Sequence, residues 1–174
     1  MPEKTLWIGG NALLWDARCA GIYIGFGIGT IYHLLYCRKV QALPPLNIII
    51  FSALMLTALP LDVLTVTFHW REASNDFRFM TGLLWGSAVC VFLYPAFLVL
   101  TGKKIPARSA LPALRNALLY YLSAAAAALL AKWNNIFSYA LLFALSLFGF
   151  VSLAVMLIIS FKKTAAKLAK HILR

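Results

Sequence analysis

From Ile136 to Phe161 the chain carries no charged side chain, and the same holds from Phe79 to Leu100. A helix rises about 1.5 Å per residue, so each stretch can cross the roughly 30 Å hydrocarbon layer of a bilayer. Within that layer every backbone N–H and C=O has to be satisfied by the protein itself, which favours helices. A third run, Leu46 to Phe68, is of similar length and contains one carboxylate, Asp62. Two shorter runs, Ala20 to Cys37 and Asn116 to Ala131, need flanking residues to complete a crossing. With 63% hydrophobic and 12% charged residues, the 174-residue chain has too few charges to clothe a soluble surface. The expected fold is all-α: a polytopic transmembrane bundle of five spans.

The formal net charge of +11 is distributed as a topology signal. Arg38 and Lys39 follow the first run, Lys103, Lys104, Arg108 and Arg115 follow the third, and Lys162, Lys163, Lys167, Lys170 and Arg174 follow the last. The intervening links are poor in net positive charge: one sets Arg71 against Glu72 and Asp76, and the other is only "KWNN". The positive-inside rule then places the N-terminus outside and the C-terminus inside. Nucleic-acid binding would instead require a basic stripe on a soluble face, so no nucleic-acid partner is expected. The resulting division is an extracytoplasmic segment at 1–19, a five-helix membrane domain at 20–161 and a basic cytoplasmic tail at 162–174. The opening lacks the basic region and continuous apolar core of a cleavable signal, so insertion is expected to rely on the first span. In the tail, Ala165, Leu168, Ala169 and Ile172 fall opposite Lys163, Lys167, Lys170 and Arg174. That pattern suits an interfacial helix or a soluble stop signal equally.

Gly21, Gly25 and Gly29 recur at four-residue spacing in the first run, with Gly27 between them, and Gly82 and Gly86 repeat the spacing in the third. Such G-x-x-x-G ladders let helices approach closely in lipid, within one bundle or between subunits. "GFGIGT" has the glycines of a phosphate loop but no following Lys, and it lies inside a span, so no nucleotide cofactor is implied.

"HWREASNDFR", residues 69–78, holds Arg71, Glu72, Asp76 and Arg78, with Asp62 just upstream. Three of the chain's five acidic residues therefore fall in this region. It forms the outer turn between the second and third runs, on the same side as Asp16 and Arg18. A carboxylate within an apolar span needs an ion pair or a polar cavity, so Asp62 is expected to pair with Arg78 or Arg18. Pro60 nearby frees a backbone carbonyl. Asp62 and His69 share a helical face, and Arg71, Asn75 and Arg78 share another if the helix continues through the turn. Asn75 or Asp76 is the expected cap of the third span. The candidate polar cluster is therefore Asp16, Arg18, Asp62, His69, Arg71, Glu72, Asn75 and Arg78. Its structural reading is an ion pair that closes a helical hairpin, and its functional reading is a proton, ion or substrate site.

His33, His69 and His171 are spread too widely to meet, and the spacing of Asp16, Cys19 and His69 does not demand a metal, so no metal site is expected. Cys19, Cys37 and Cys90 show no repeated spacing, and Cys90 lies deep in an apolar run where a free Cys acts as a small hydrophobe. Trp7, Trp15, Trp70 and Trp133 all fall at outer boundaries, as an aromatic belt would. No hydrolase elbow or paired-carboxylate motif occurs in a suitable context, so no catalytic residue is assigned.

"DARCAGIYIGF" and "LPLDVLTVTFHWREASNDFRFMTGLLWG" resemble domain-of-unknown-function family 2085, small polytopic prokaryotic membrane proteins, over about residues 10–100. The resemblance falls on Arg18, Cys19, Gly21, Ile22, Tyr23 and Gly25, then on Asp62, then on Arg71, Glu72, Asn75, Arg78, Thr81, Gly82 and Leu83. It implies a multi-pass protein of the prokaryotic cytoplasmic (inner) membrane. The resemblance also implies an upstream Cys and His and a Cys-x-x-Cys at the first span, whereas Asp16 stands here at the first Cys of that pair. That departure implies that thiol redox or multi-cysteine metal chemistry is lost and that the Asp62 cluster survives.

Three functions follow as expectations. The first is a non-catalytic membrane subunit, docked through its glycine ladder and loops to other subunits or to copies of itself. The second is a small ion- or proton-coupled transporter using Asp62 and the neighbouring arginines. The third is a membrane enzyme acting on a phospholipid headgroup, gripped by Arg18, Arg71 and Arg78 with His69 or Glu72 moving a proton; it lacks a nucleophile or metal and ranks last.

Overall fold

The computed structural model describes residues 4–36, 44–101, 111 and 114–172. A two-stranded hairpin, β1 (Thr5–Ile8) and β2 (Asn11–Asp16), precedes five helices. These are α1 (Ala17–Tyr36), α2 (Leu46–Thr67), α3 (Asn75–Leu100), α4 (Leu114–Lys132) and α5 (Ile136–Ile172).

The bundle is all-α, and the hairpin is an addition to it that the hydrophobic runs did not foretell. Ile8 pairs with Asn11, so the loop is Gly9-Gly10, and both glycines have positive φ (56° and 76°). Such a two-residue turn matches the right-handed twist of antiparallel strands. Alternation along the strands buries Leu6, Ile8 and Leu13. They share one apolar cluster with Ala17, Ala20 and Ile24 of α1, Phe79 and Leu83 of α3, Ala127 and Ala128 of α4, and Leu142 of α5. At the tip, the Gly9 N–H donates to Asn134 Oδ1 at 2.6 Å. A Cβ on Gly9 would lie 2.8 Å from the Asn135 carbonyl carbon. The hairpin therefore plugs one end of the bundle, seated on the α4–α5 turn.

α1 is the central helix, packed most extensively on α3 and then on α5. It begins at Ala17, earlier than the apolar run, because Asp16 Oδ1 accepts the Cys19 backbone N–H at 2.7 Å and caps its first turn. A Cβ on Gly21 or Gly25 would collide with the carbonyls of Phe79 and Leu83 on α3. One on Gly82 or Gly86 would collide with those of Arg18 and Ile22 on α1. The two glycine pairs thus form a single seam. Gly27 makes a second close approach, against Leu145 and Gly149 of α5, and Gly29 leaves space for Cys90 and the Tyr120 hydroxyl.

Among the described residues, four helices are long and apolar enough to cross a membrane: α1, α2, α3 and Ile136–Ala166 within α5. α4 is not among them in the described residues; its 19 residues are bounded by Arg115 and Lys132 and are largely alanine in the middle. At about 28 Å it is nonetheless close to the hydrocarbon thickness. It packs into the bundle through Ala117, Tyr120, Tyr121, Ala124, Ala127 and Ala128. α5 continues into the basic tail as far as Ile172 without a break.

Candidate functional site

Asp62 lies on α2, whose buried residues are only Ile48, Ser52 and Asp62. Its side chain is fully buried and accepts from two arginines carried by other segments. Arg18, in the first turn of α1, points Nε at 2.8 Å and Nη2 at 2.7 Å to Oδ2. Arg71, in the α2–α3 link, donates from Nη2 to Oδ1. Both carboxylate oxygens are therefore engaged, while the two arginine side chains stay 25% and 30% exposed. Arg71 also donates from Nη1 to the Glu72 carbonyl at 3.2 Å, and its guanidinium carbon sits 4.0 Å from the centroid of the Phe77 ring. That ring face adds a cation–π contact.

The end of α2 explains why Arg71 reaches Asp62. The His69 N–H bonds to the Val66 carbonyl and the Trp70 N–H to the Thr65 carbonyl, at 3.2 and 3.0 Å. His69 has φ +57°. These are the two bonds and the left-handed residue of a Schellman motif, with His69 where glycine is usual. The chain reverses there, and Arg71 folds back onto a residue nine positions earlier.

This geometry corrects three expectations. The helix does not continue through the turn, so exposed His69 does not share a face with Asp62 and takes a backbone role. Of the two expected partners of Asp62, Arg18 is present, whereas Arg71 and not Arg78 is the other arginine bound to it. Ser74 is the N-cap residue of α3, without a side-chain cap bond, and Asn75 and Asp76 lie in the first turn.

The remaining cluster members divide among other tasks. Asn75 Nδ2 donates to the Thr5 carbonyl of the hairpin at 3.2 Å, and its Oδ1 accepts from Arg78 Nη1 at 3.3 Å. Arg78 Nε is buried without a hydrogen-bond partner. Asp76, with Met80, Ala128 and Lys132, borders two adjoining cavities of about 510 and 380 Å³ between α3 and α4. Glu72 is exposed, and Asp16 caps α1. Among the described residues, no three His, Cys, Asp or Glu side chains converge to hold a metal. Cys19 is a free thiol, Cys90 is buried in α3, and Cys37 lies outside the described residues.

Trp7, Trp70 and Trp133 are exposed, but Trp15 is half-buried against Tyr23 and Phe150, with ring centroids 5.0 Å from each. No sequence signal pointed to the Arg71–Phe77 contact, because it depends on the reversal at His69. The hairpin had one: the Gly9-Gly10 pair between two apolar stretches.

The family model described as DUF2085, predicted membrane protein, matches residues 1–92. That match takes in the hairpin, α1, α2 and most of α3, and so every group bound to Asp62. An uncharacterized protein of Methanocaldococcus jannaschii is 31% identical over 104 residues, 60% of this chain. The aligned part spans 65% of that relative's length. No solved structure matches the chain.

Proposed function

We propose, starting from the fact that this chain belongs to the DUF2085 family of predicted membrane proteins, that it is a small ion transporter whose ion site is Asp62 with Arg18 and Arg71. The observation that carries this reading is one fully buried carboxylate held by two arginines that stay partly exposed. Two guanidinium groups against one carboxylate leave a surplus positive charge, so the ion that competes for them is an anion. Asp62 is then the resident counter-ion that occupies the arginines when the site is empty.

α2 is suited to move when that exchange occurs. It packs chiefly on α3, only 17% of its membrane window is buried, and Pro60 interrupts its hydrogen bonding two residues before Asp62. The Asp62–Arg18 pair ties it to α1, and the Asp62–Arg71 pair ties it to the turn. An anion that draws off either arginine loosens α2 from the rest.

A role as a docked subunit would use the glycine ladder as a surface for partners. Gly21, Gly25, Gly82 and Gly86 face one another within the bundle, which moves the weight to the polar site. The basic links support an arrangement in the prokaryotic inner membrane with the N-terminus outside and α4 as a fifth crossing.

The test is flux of chloride and inorganic phosphate into vesicles reconstituted with the full chain. Arg71→Gln is expected to lower flux at least about tenfold, the loss of one charge-assisted contact to the anion. Asp62→Asn is expected to abolish regulation of flux by the external anion. Flux equal to wild type in both variants would sink the reading. Co-purification with another membrane protein at fixed stoichiometry, with no flux, would restore the subunit function.

A further inference from the structure

The far end of α1 holds a second polar group that the Asp62 site does not use. His33, in the last turn of α1, has no exposed surface. Its Nδ1 lies 2.8 Å from the Gly29 carbonyl oxygen. A carbonyl can only accept, so Nδ1 carries the hydrogen and, in the neutral ring, Nε2 is a bare acceptor. Among the described residues, Nε2 is buried without a hydrogen-bond partner. The ring is enclosed by aromatic neighbours: Tyr94 of α3 at 4.9 Å, Tyr120 of α4 at 5.7 Å and Tyr32 at 6.1 Å between centroids.

We propose that Nε2 of His33 is a proton-binding site, giving the protein a second ion site at the opposite end of α1 from Asp62. The proton adds to the free lone pair of Nε2, no bond breaks, and the Nδ1–H bond to Gly29 is retained. Three features of the site act against the cost of charging a ring with no exposed surface: the Gly29 carbonyl continues to accept from Nδ1–H, tyrosine rings carry electron-rich faces that attract cations, and the C-terminal turn of a helix carries the negative end of its dipole.

Among the described residues, the titratable groups around the ring are Tyr94 and Cys90 from α3, Tyr120 and its neighbour Tyr121 from α4, and Tyr32 and Tyr36 on α1 itself. α5 presents Met156 and Leu153 at this level, and it carries no titratable side chain from Ala140 to Phe161. α2 contributes Ile48 beside Tyr120, and its one titratable residue is the distant Asp62. Arg115, exposed in the first turn of α4, is the cation closest to Tyr120 along that helix. Arg18 and His33 are separated by about 22 Å of helix, so the anion and the proton would meet the protein at opposite ends. Proton binding at His33 does not require that the Asp62 site conduct an anion.

The test uses the full chain in lipid nanodiscs with ¹⁵N-labelled histidine. The double variant His69→Gln/His171→Gln leaves His33 as the sole histidine. The expected spectrum is the Nδ1–H tautomer at high pH, converting reversibly to the doubly protonated ring on acidification. A ring that stays neutral throughout would overturn the proposal and make His33 a packing residue. An Nε2–H tautomer at high pH would overturn it as well. Neither result bears on anion flux, so failure here and failure of the transport reading are distinguishable.

Discussion

α2 and α3 are equally apolar, each with a mean hydropathy of 2.1 in its membrane window, yet 17% of one window is buried and 50% of the other. The difference lies in how each helix is held. α3 meets α1 along a glycine seam where backbones touch, so its position follows from steric fit over several turns. α2 has no glycine and is held at a few polar points: Asp62 by Arg18 and Arg71, and Ser52 by the Tyr121 hydroxyl at 2.9 Å. Close packing gives a rigid pair, whereas sparse polar ties hold a helix that depends on a few contacts.

Substitutions at four positions would break or sharpen this contrast. Gly86→Leu places a side chain against the Ile22 backbone and should cost more than about 3 kcal/mol, seen as loss of folded protein in detergent. Asp62→Ala should cost about 3 kcal/mol, at the low end for a broken buried pair because both arginines are partly exposed. Cysteine accessibility on α2 should rise in that variant while accessibility on α3 stays unchanged; equal changes on both would remove the contrast. Tyr121→Phe removes one buried hydrogen bond and should lower stability by about 1 kcal/mol in thermal unfolding. His69→Gly relieves a left-handed residue and should leave stability unchanged or raise it by up to about 1 kcal/mol, whereas His69→Val should lower it.

Much of the membrane architecture was legible from charge-free runs, because a helix and a bilayer impose a length that composition alone reveals. The glycine spacing was also readable, since only small residues permit close helix approach, but whether it served the bundle or a partner was not. A cationic partner for Asp62 was expected from the cost of a lone carboxylate in an apolar span, with Arg18 and Arg78 as equal candidates. Arg71 was not among them, because its reach depends on a helix ending with a histidine in the left-handed region, where glycine is usual. The Gly-Gly turn of the hairpin is visible in the sequence, but its strands are short, and the long apolar runs that follow dominate the pattern.

The sequence by itself determined that this chain lives in a membrane, that its helices are long and apolar, and that Asp62 needs an ion pair or a polar cavity. These are consequences of transfer free energy, which each residue carries with it. Tertiary structure alone decided which arginines meet that carboxylate, that the glycine ladder closes α1 onto α3, and that His33 sits among tyrosines with one nitrogen unpaired. Those outcomes depend on where separate segments meet in space, and that is set by the packing of the whole bundle.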